Sequence, residues 1–445
     1  MKNRGQRLLG GIASSAVSRG TAAIAPIITV PVALTALGVE GYGAWSAALA
    51  LTAFTAFADL GIGAGLMTRL SASIASGDVV RSRRLVSSAY TALGLVVTLA
   101  LILLWASSAF VPWARVVGGV GSEANGEVGA IALVTLTGFI LNVIAGLIVR
   151  VQYAAQEVAR SNLWQASGSV AGIIAVLVAA SLGATGAVFV AVAAFVPILV
   201  AGMNAVLFFS GKVGKQFRPS VRDFHLSTTR DLASIGGRFL TISITMSVAL
   251  GVDSWIVAQT SSLSQVPEYA IPARVFAMVG TLVSVLTIPL WPTSAEALSA
   301  GDTAWVRRTA RRMTMITPAI VGAASVIAVV AAPFAFNVWL GGKVPIDFFL
   351  LAGLALWNVV QACVAPAFMV QNAAGVLRPQ MIGYAVLLAI FPVKWIVAST
   401  LGFAWLPLVT SIAYVLIIWP AAWVGYRRAL NRPSEVAAPV EAAAL

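Results

Sequence analysis

The chain has 445 residues, 60% of them apolar and 10% charged, with a formal net charge of +13. A soluble domain carries about 25% charged residues, so a water-soluble fold is excluded. One cysteine, Cys363, and one histidine, His225, exclude an internal disulfide and a Cys/His zinc site, and no phosphate loop of the GxxxxGKS/T kind is present.

Apolar runs of about twenty residues recur along the chain, long enough to cross a hydrocarbon core of about 30 Å as helix. The alternation of a transmembrane barrel is absent. The fold class expected is an all-α polytopic membrane protein. Twelve spans are predicted near 9–37, 42–69, 85–112, 128–152, 162–182, 185–209, 231–258, 267–294, 312–338, 347–372, 379–400 and 404–425. Met1-Lys2-Asn3-Arg4 imitates the basic start of a signal peptide, but Arg19 breaks the apolar run behind it and no small-residue cleavage site follows. The expectation is a cytoplasmic end leading into the first helix.

Lys and Arg accumulate in cytoplasmic loops. Here Lys2, Arg4 and Arg7 precede the first span, and Arg69, Arg81, Arg83 and Arg84 follow the second. Arg150 and Arg160 flank the connection after the fourth. Lys212, Lys215, Arg218, Arg222 and Arg230 lie after the sixth, and Arg307, Arg308, Arg311 and Arg312 after the eighth. Arg378 follows the tenth, and Arg427, Arg428 and Arg432 follow the last. The opposite connections hold only Arg115 and Lys343. Both termini are therefore expected in the cytoplasm. This asymmetry accounts for most of the positive charge, so no nucleic-acid partner is needed.

The chain also reads as one unit written twice. Gly77-Asp78 with Arg83-Arg84 answers Gly301-Asp302 with Arg307-Arg308. Val151-Gln152 answers Val370-Gln371, Arg160 answers Arg378, and Leu182-Gly183 answers Leu401-Gly402. The organisation expected is an N-terminal six-helix lobe over 1–209, a cytoplasmic basic linker over 210–230 and a second six-helix lobe over 231–426. A disordered cytoplasmic tail, rich in Ala and Pro, is expected over 427–445. The linker reads as a segment lying on an anionic leaflet, with His225 solvated in it.

Four basic residues fall at membrane depth: Arg19, Arg238, Arg274 and Lys394. Charges there usually face a cavity or a partner. Arg19 and Arg238 are repeat-equivalent, and each follows a serine by four residues, Ser15 and Ser234, on one helical face. Thr241 and Thr245 continue that face on the seventh span. Both arginines are close enough to the cytoplasmic surface to snorkel instead. Arg274 and Lys394 have only alanines opposite them in the first copy, Ala47 and Ala175. Lys394, between Pro392 and Trp395, is the deepest, and a structural pair with a carboxylate is the alternative to ligand binding. Asp59 is the acidic candidate of the first lobe, for pairing or for ion coupling. Asp253 is expected to be exposed at the outer end of its span. Cys363 reads as a buried small apolar residue.

The run Leu37-Gly38-Val39-Glu40-Gly41-Tyr42-Gly43-Ala44-Trp45, followed by Ala58-Asp59-Leu60-Gly61-Ile62-Gly63, resembles the opening of the polysaccharide biosynthesis family. That family includes the O-antigen and lipid-linked oligosaccharide flippases of the multidrug/oligosaccharidyl-lipid/polysaccharide exporter superfamily. Val266-Pro267-Glu268-Tyr269, Arg274 and Pro289 resemble its eighth span. The resemblance implies two six-helix lobes related by a pseudo-two-fold axis along the membrane normal, around a central cavity. It also implies a polyprenyl-diphosphate-linked oligosaccharide as cargo, in the plasma membrane. A glycan polymerase and glycosyltransferases are the partners that fit. The cargo headgroup suits a cationic cavity, because Arg offers forked donors to diphosphate oxygens. Arg19, Arg238, Arg274 and Lys394 are accordingly the expected substrate-binding residues, with Asp59 as the ion-coupling candidate.

Other readings follow from the same residues. A cation-coupled exporter of cationic drugs should favour carboxylates in its cavity. A major-facilitator transporter would carry a GxxxDRxGRR/K-like second connection, which this chain lacks. A membrane glycosyltransferase would need an acidic cluster, but Glu123 and Glu127 stand isolated in a short loop. A scaffold within a glycan-synthesis complex is a further alternative. No cofactor and no enzymatic activity are expected.

Overall fold

The computed structural model describes residues 4–55, 61–119 and 125–431. Within its helices the side chains of 4–13, 15, 16, 54, 55, 64, 125, 235–244, 292 and 299 lie outside that description. All regular structure among the described residues is helical. A backbone in hydrocarbon must satisfy its own polar groups, and a helix does so within one segment.

The first copy comprises α1 (Arg4–Leu51), α2 (Ile62–Ala75), α3 (Val79–Ser107), the short α4 (Trp113–Val116), α5 (Asn125–Ala145), α6 (Leu147–Ala154), α7 (Val158–Ser181) and α8 (Gly186–Ser210). The second comprises α9 (Leu226–Gly251), α10 (Asp253–Thr260), α11 (Val266–Thr287), α12 (Leu290–Ser299), α13 (Thr303–Leu340) and α14 (Phe348–Ala373). It ends with α15 (Arg378–Leu387), α16 (Ile390–Thr400), α17 (Leu406–Ala413) and α18 (Trp419–Leu430).

Ten stretches among the described residues are long and apolar enough to cross a bilayer. The first of them, Val17–Leu51, is two legs, because the backbone leaves the helical region at Gly38 (φ 70°, ψ 177°). The second leg runs to Leu51, and α2 follows from Ile62. The pair α9–α10 stands outside the ten because side chains 235–244 lie outside the described residues, although the run from Ile235 to Val252 is apolar with Arg238 as its one charge. Counting the second leg and this pair gives twelve candidate spans among the described residues, the number the hydropathy predicts. Ridges of exposed apolar side chains mark lipid-facing surface, as at Val330, Phe334 and Val338 on α13, each at least 70% exposed.

The internal repeat is visible in local geometry. Gly77 (φ 74°) and Gly301 (φ 77°) take the left-handed conformation that ends the preceding helix. Asp78 and Asp302 then cap α3 and α13, accepting from the N–H groups of Arg81 and Trp305, each at 2.9 Å. Further on, Gln152 and Gln371 are both fully buried. Gln152 exchanges hydrogen bonds with Asn204 at 2.7 and 3.2 Å, and Gln371 donates to the Ala422 carbonyl at 2.9 Å. The buried amides join corresponding helices in the two copies.

The chain divides into two compact units, Met1–Ile244 with Ser262–Val266, and Thr245–Ser261 with Pro267–Leu445. In unit 1 a core of Leu66, Leu70, Leu93, Ile148, Phe208 and Leu232 joins α2, α3, α6, α8 and the start of α9. The basic segment after α8 docks on the same core. Phe217 is buried in it, the N–H groups of Ser220 and His225 donate to Ser87 and Ser88 of α3, and Arg83 pairs with Asp223 at 2.8 Å. In unit 2, Val306, Ala310, Val370 and Ala429 form the core where α13, α14 and α18 converge.

Candidate functional site

In unit 1, α1 packs against α5 and α7, and α8 closes on both of these. Gly172 of α7 faces the ring of Pro197 on α8, where a Cβ would stand 3.2 Å from Cγ. Bulkier residues would push the helices apart. Between these helices lies a cavity of about 470 Å³, within the size range of small-ligand sites. Its polar lining comes from Thr29, Asn142, Gln165, Ser169 and Asn204, and its aromatic lining from Trp45 and Trp164. Among the described lining residues none is charged. Trp45 is held edge-on by Tyr42 and Phe189, with centroids 6.1 and 6.4 Å away. Tyr42 is fully buried, and a Cβ on Gly43 would collide with the Leu263 carbonyl. Three residues of the Gly-Tyr-Gly-Ala-Trp run thus have a structural purpose: Gly43 a backbone approach, Tyr42 a buried brace and Trp45 a cavity wall.

The predicted site residues fare differently. Arg19 is exposed on α1, in unit 1. Arg238 lies on α9, with its side chain outside the described residues, and Asp59 lies outside them altogether. Arg274 is half-buried on α11 in unit 2. Lys394, also in unit 2, is fully buried on α16. Its ammonium donates to Asp253 Oδ1 at 2.7 Å and to the Ala249 carbonyl at 3.0 Å. Asp253 Oδ2 accepts from the Tyr269 hydroxyl at 2.7 Å.

This cluster corrects one expectation. Asp253 is 8% exposed, not at an open outer end. The Lys394 ammonium meets a carboxylate, the pairing that the sequence offered as the alternative to ligand binding. The reason is the cost of an unpaired charge in a dry interior. Depth judged from span length alone misplaces Asp253. Its partner lies in a distant helix, and no local spacing encodes that contact. Tyr269, part of the Val-Pro-Glu-Tyr run, is the third member. Trp255, Phe391 and Trp395, close to the cluster residues in sequence, pack together with centroids 5.7–6.3 Å apart.

A family model described as polysaccharide biosynthesis protein matches residues 8–298, well over half of the chain. The chain belongs to the polysaccharide biosynthesis protein family. A Yersinia pseudotuberculosis protein named as a putative O-antigen export protein is 25% identical over 275 residues. That match covers 61% of this chain and 61% of the relative. The inward-facing structure of a multidrug-resistance MATE family transporter of the MOP superfamily superposes with a TM-score of 0.75 at 15% identity, covering 95% of this chain and 98% of the other. The outward-facing structure gives 0.62 at 15% identity, covering 97% and 96%. A mutant of the Vibrio cholerae MATE transporter VcmN gives 0.60 at 16%, covering 95% and 98%. At such identities the likeness establishes the fold, which is that of a MATE-type transporter. The family and fold make this protein a multi-pass membrane protein with a MATE-type fold.

Proposed function

We propose that this family member flips a polyprenyl-diphosphate-linked oligosaccharide from the cytoplasmic to the outer leaflet by alternating access, without covalent chemistry. The observation that carries the reading is the lining of the unit 1 cavity. Amides and hydroxyls from Asn142, Gln165, Ser169 and Thr29 suit sugar hydroxyls, and Trp45 and Trp164 offer flat faces to sugar rings. A cationic drug would need a carboxylate to replace its lost hydration. Among the described residues this cavity supplies none, which weighs against the multidrug reading. Arg19, Arg238 and Arg274 are the proposed headgroup ligands. Lys394 is assigned to its pair with Asp253.

Flipping of a lipid-linked oligosaccharide in liposomes tests this. Arg19→Gln should lower affinity tenfold or more, because a charge-assisted hydrogen bond contributes roughly 1.5–3 kcal/mol. Arg19→Lys should rescue only in part, because it lacks the bidentate fork. Wild-type flipping by both Arg19→Gln and Arg274→Gln would overturn the cationic-headgroup reading. In the same vesicles Asp59→Asn should blunt the response to an imposed ion gradient if Asp59 couples transport to an ion. An unchanged response would remove Asp59 from that role.

A further inference from the structure

After the Gly301–Asp302 turn, α13 carries Arg307, Arg308, Arg311 and Arg312. Arg307 and Arg311 are one helical turn apart, so they share a face, and Thr314 and Met315 extend it one turn deeper. On α18, Trp419, Trp423 and Tyr426 share a face by the same spacing. α14 packs against both α13 and α18, and Cys363 and Ala367 of α14 lie between them. These side chains line an open groove of about 350 Å³ within unit 2.

The groove is ordered by polarity. The two guanidiniums stand at the end nearest the turn, and Met315, Cys363 and Trp419 stand deeper. Trp419 and Trp423 are 43% and 50% exposed and Met315 is 61% exposed, so the apolar part opens sideways to where lipid lies. Tryptophan and tyrosine favour headgroup depth. The Arg427 guanidinium sits 3.6 Å over the Trp423 ring and adds a third positive charge at the rim. No acidic residue lines the groove among the described residues. The ion pairs described in the molecule engage neither Arg307 nor Arg311. Two cations without an ion pair among the described residues, above an apolar, laterally open channel, match one kind of occupant: an anion carrying a hydrocarbon chain.

We propose that this groove binds one anionic phospholipid from the leaflet facing the Gly301–Asp302 turn. Its phosphate lies between Arg307 and Arg311, and one acyl chain lies against Met315, Trp419 and Trp423. The site is built entirely within unit 2 and is independent of the headgroup ligands proposed for the cargo.

The single cysteine makes the wall of the groove directly readable. The full-length protein, purified in a non-ionic detergent, is alkylated at Cys363 while phosphatidylglycerol or phosphatidylcholine is titrated in. Phosphatidylglycerol should slow alkylation saturably, and phosphatidylcholine should not. Replacing both arginines, Arg307→Gln with Arg311→Gln, should weaken the protecting lipid about thirtyfold, since each basic residue near an anionic headgroup contributes about 1 kcal/mol. The corresponding double Lys variant should retain most of the protection, which separates lost charge from lost folding. Arg312→Gln, the loss of one charge on the same helix outside the groove, should leave protection intact. Equal protection by phosphatidylcholine would overturn the proposal. So would equal protection by inorganic phosphate, or equal loss in Arg312→Gln, which would mean diffuse charge. Displacement of phosphatidylglycerol by a lower concentration of a polyprenyl diphosphate would give the groove to the cargo and overturn it as well.

Discussion

Lys394 and Asp253 are held in a dry interior, and each is the reason the other is tolerated. The pair also accepts one hydrogen bond from Tyr269 and donates one to a backbone carbonyl, so the carboxylate has both oxygens occupied. Removing one member leaves the other charge buried and uncompensated. Lys394→Met alone, or Asp253→Asn alone, should therefore lower stability by about 3–5 kcal/mol. The double variant should be much less unstable than the sum, because no charge is then stranded. The side-chain amide that Asp253→Asn introduces would still accept from Tyr269. The measurement is the unfolding midpoint of each purified variant in detergent. Additive single effects would mean that the two groups do not depend on each other.

At the scale of elements, close backbone approaches in unit 1 depend on the absence of a side chain. A Cβ on Gly65 of α2 would collide with the Leu232 carbonyl of α9, beside the Arg69–Asp231 ion pair at 2.9 Å. Gly65→Ala should cost about 1–3 kcal/mol through overpacking, whereas Gly202→Ala, with open space around it, should be neutral. Equal thermal midpoints for the two variants would show that α2 and α9 part freely. The helices themselves are legible in the sequence, because hydrocarbon enforces long apolar runs and Gly-Asp turns end them. The caps at Asp78 and Asp302 are legible through repetition. Contacts between remote helices are not. Nothing near Asp253 announces Lys394, and nothing near Ser87 and Ser88 announces that the basic segment after α8 donates to them. The cavity is equally hidden, since Trp45, Asn142 and Trp164 meet only through packing of α1, α5 and α7. Of the site residues, charge and depth pick out Arg19 and Lys394, but only the packing shows that one is exposed and the other enclosed.

At the scale of the whole molecule, the proposed export needs two distinct membrane faces, and the placement of arginine proposes which is which. The Gly-Asp turns and the segment after α8 carry clusters of basic residues. By the positive-inside tendency these connections, together with both termini, are proposed to lie in the cytoplasm. The membrane potential then acts on an anionic cargo with about 2.3 kcal/mol per charge per 100 mV. Its sign, negative inside, favours outward movement of a diphosphate, so the proposed direction of flipping is downhill without a coupled ion. Topology is the premise on which that argument stands, and the single native cysteine makes it testable. In a Cys363→Ser background, one cysteine is introduced at Ser220, in the basic segment, and another at Ser122, in the connection expected outside. An impermeant thiol reagent applied to intact cells should label the second position and spare the first until the membrane is opened. Ser220 donates its N–H to Ser87, a backbone contact that a cysteine there retains, so the segment should stay docked. Labelling of the Ser220 position in intact cells would reverse the orientation, and with it the direction in which the potential drives the cargo.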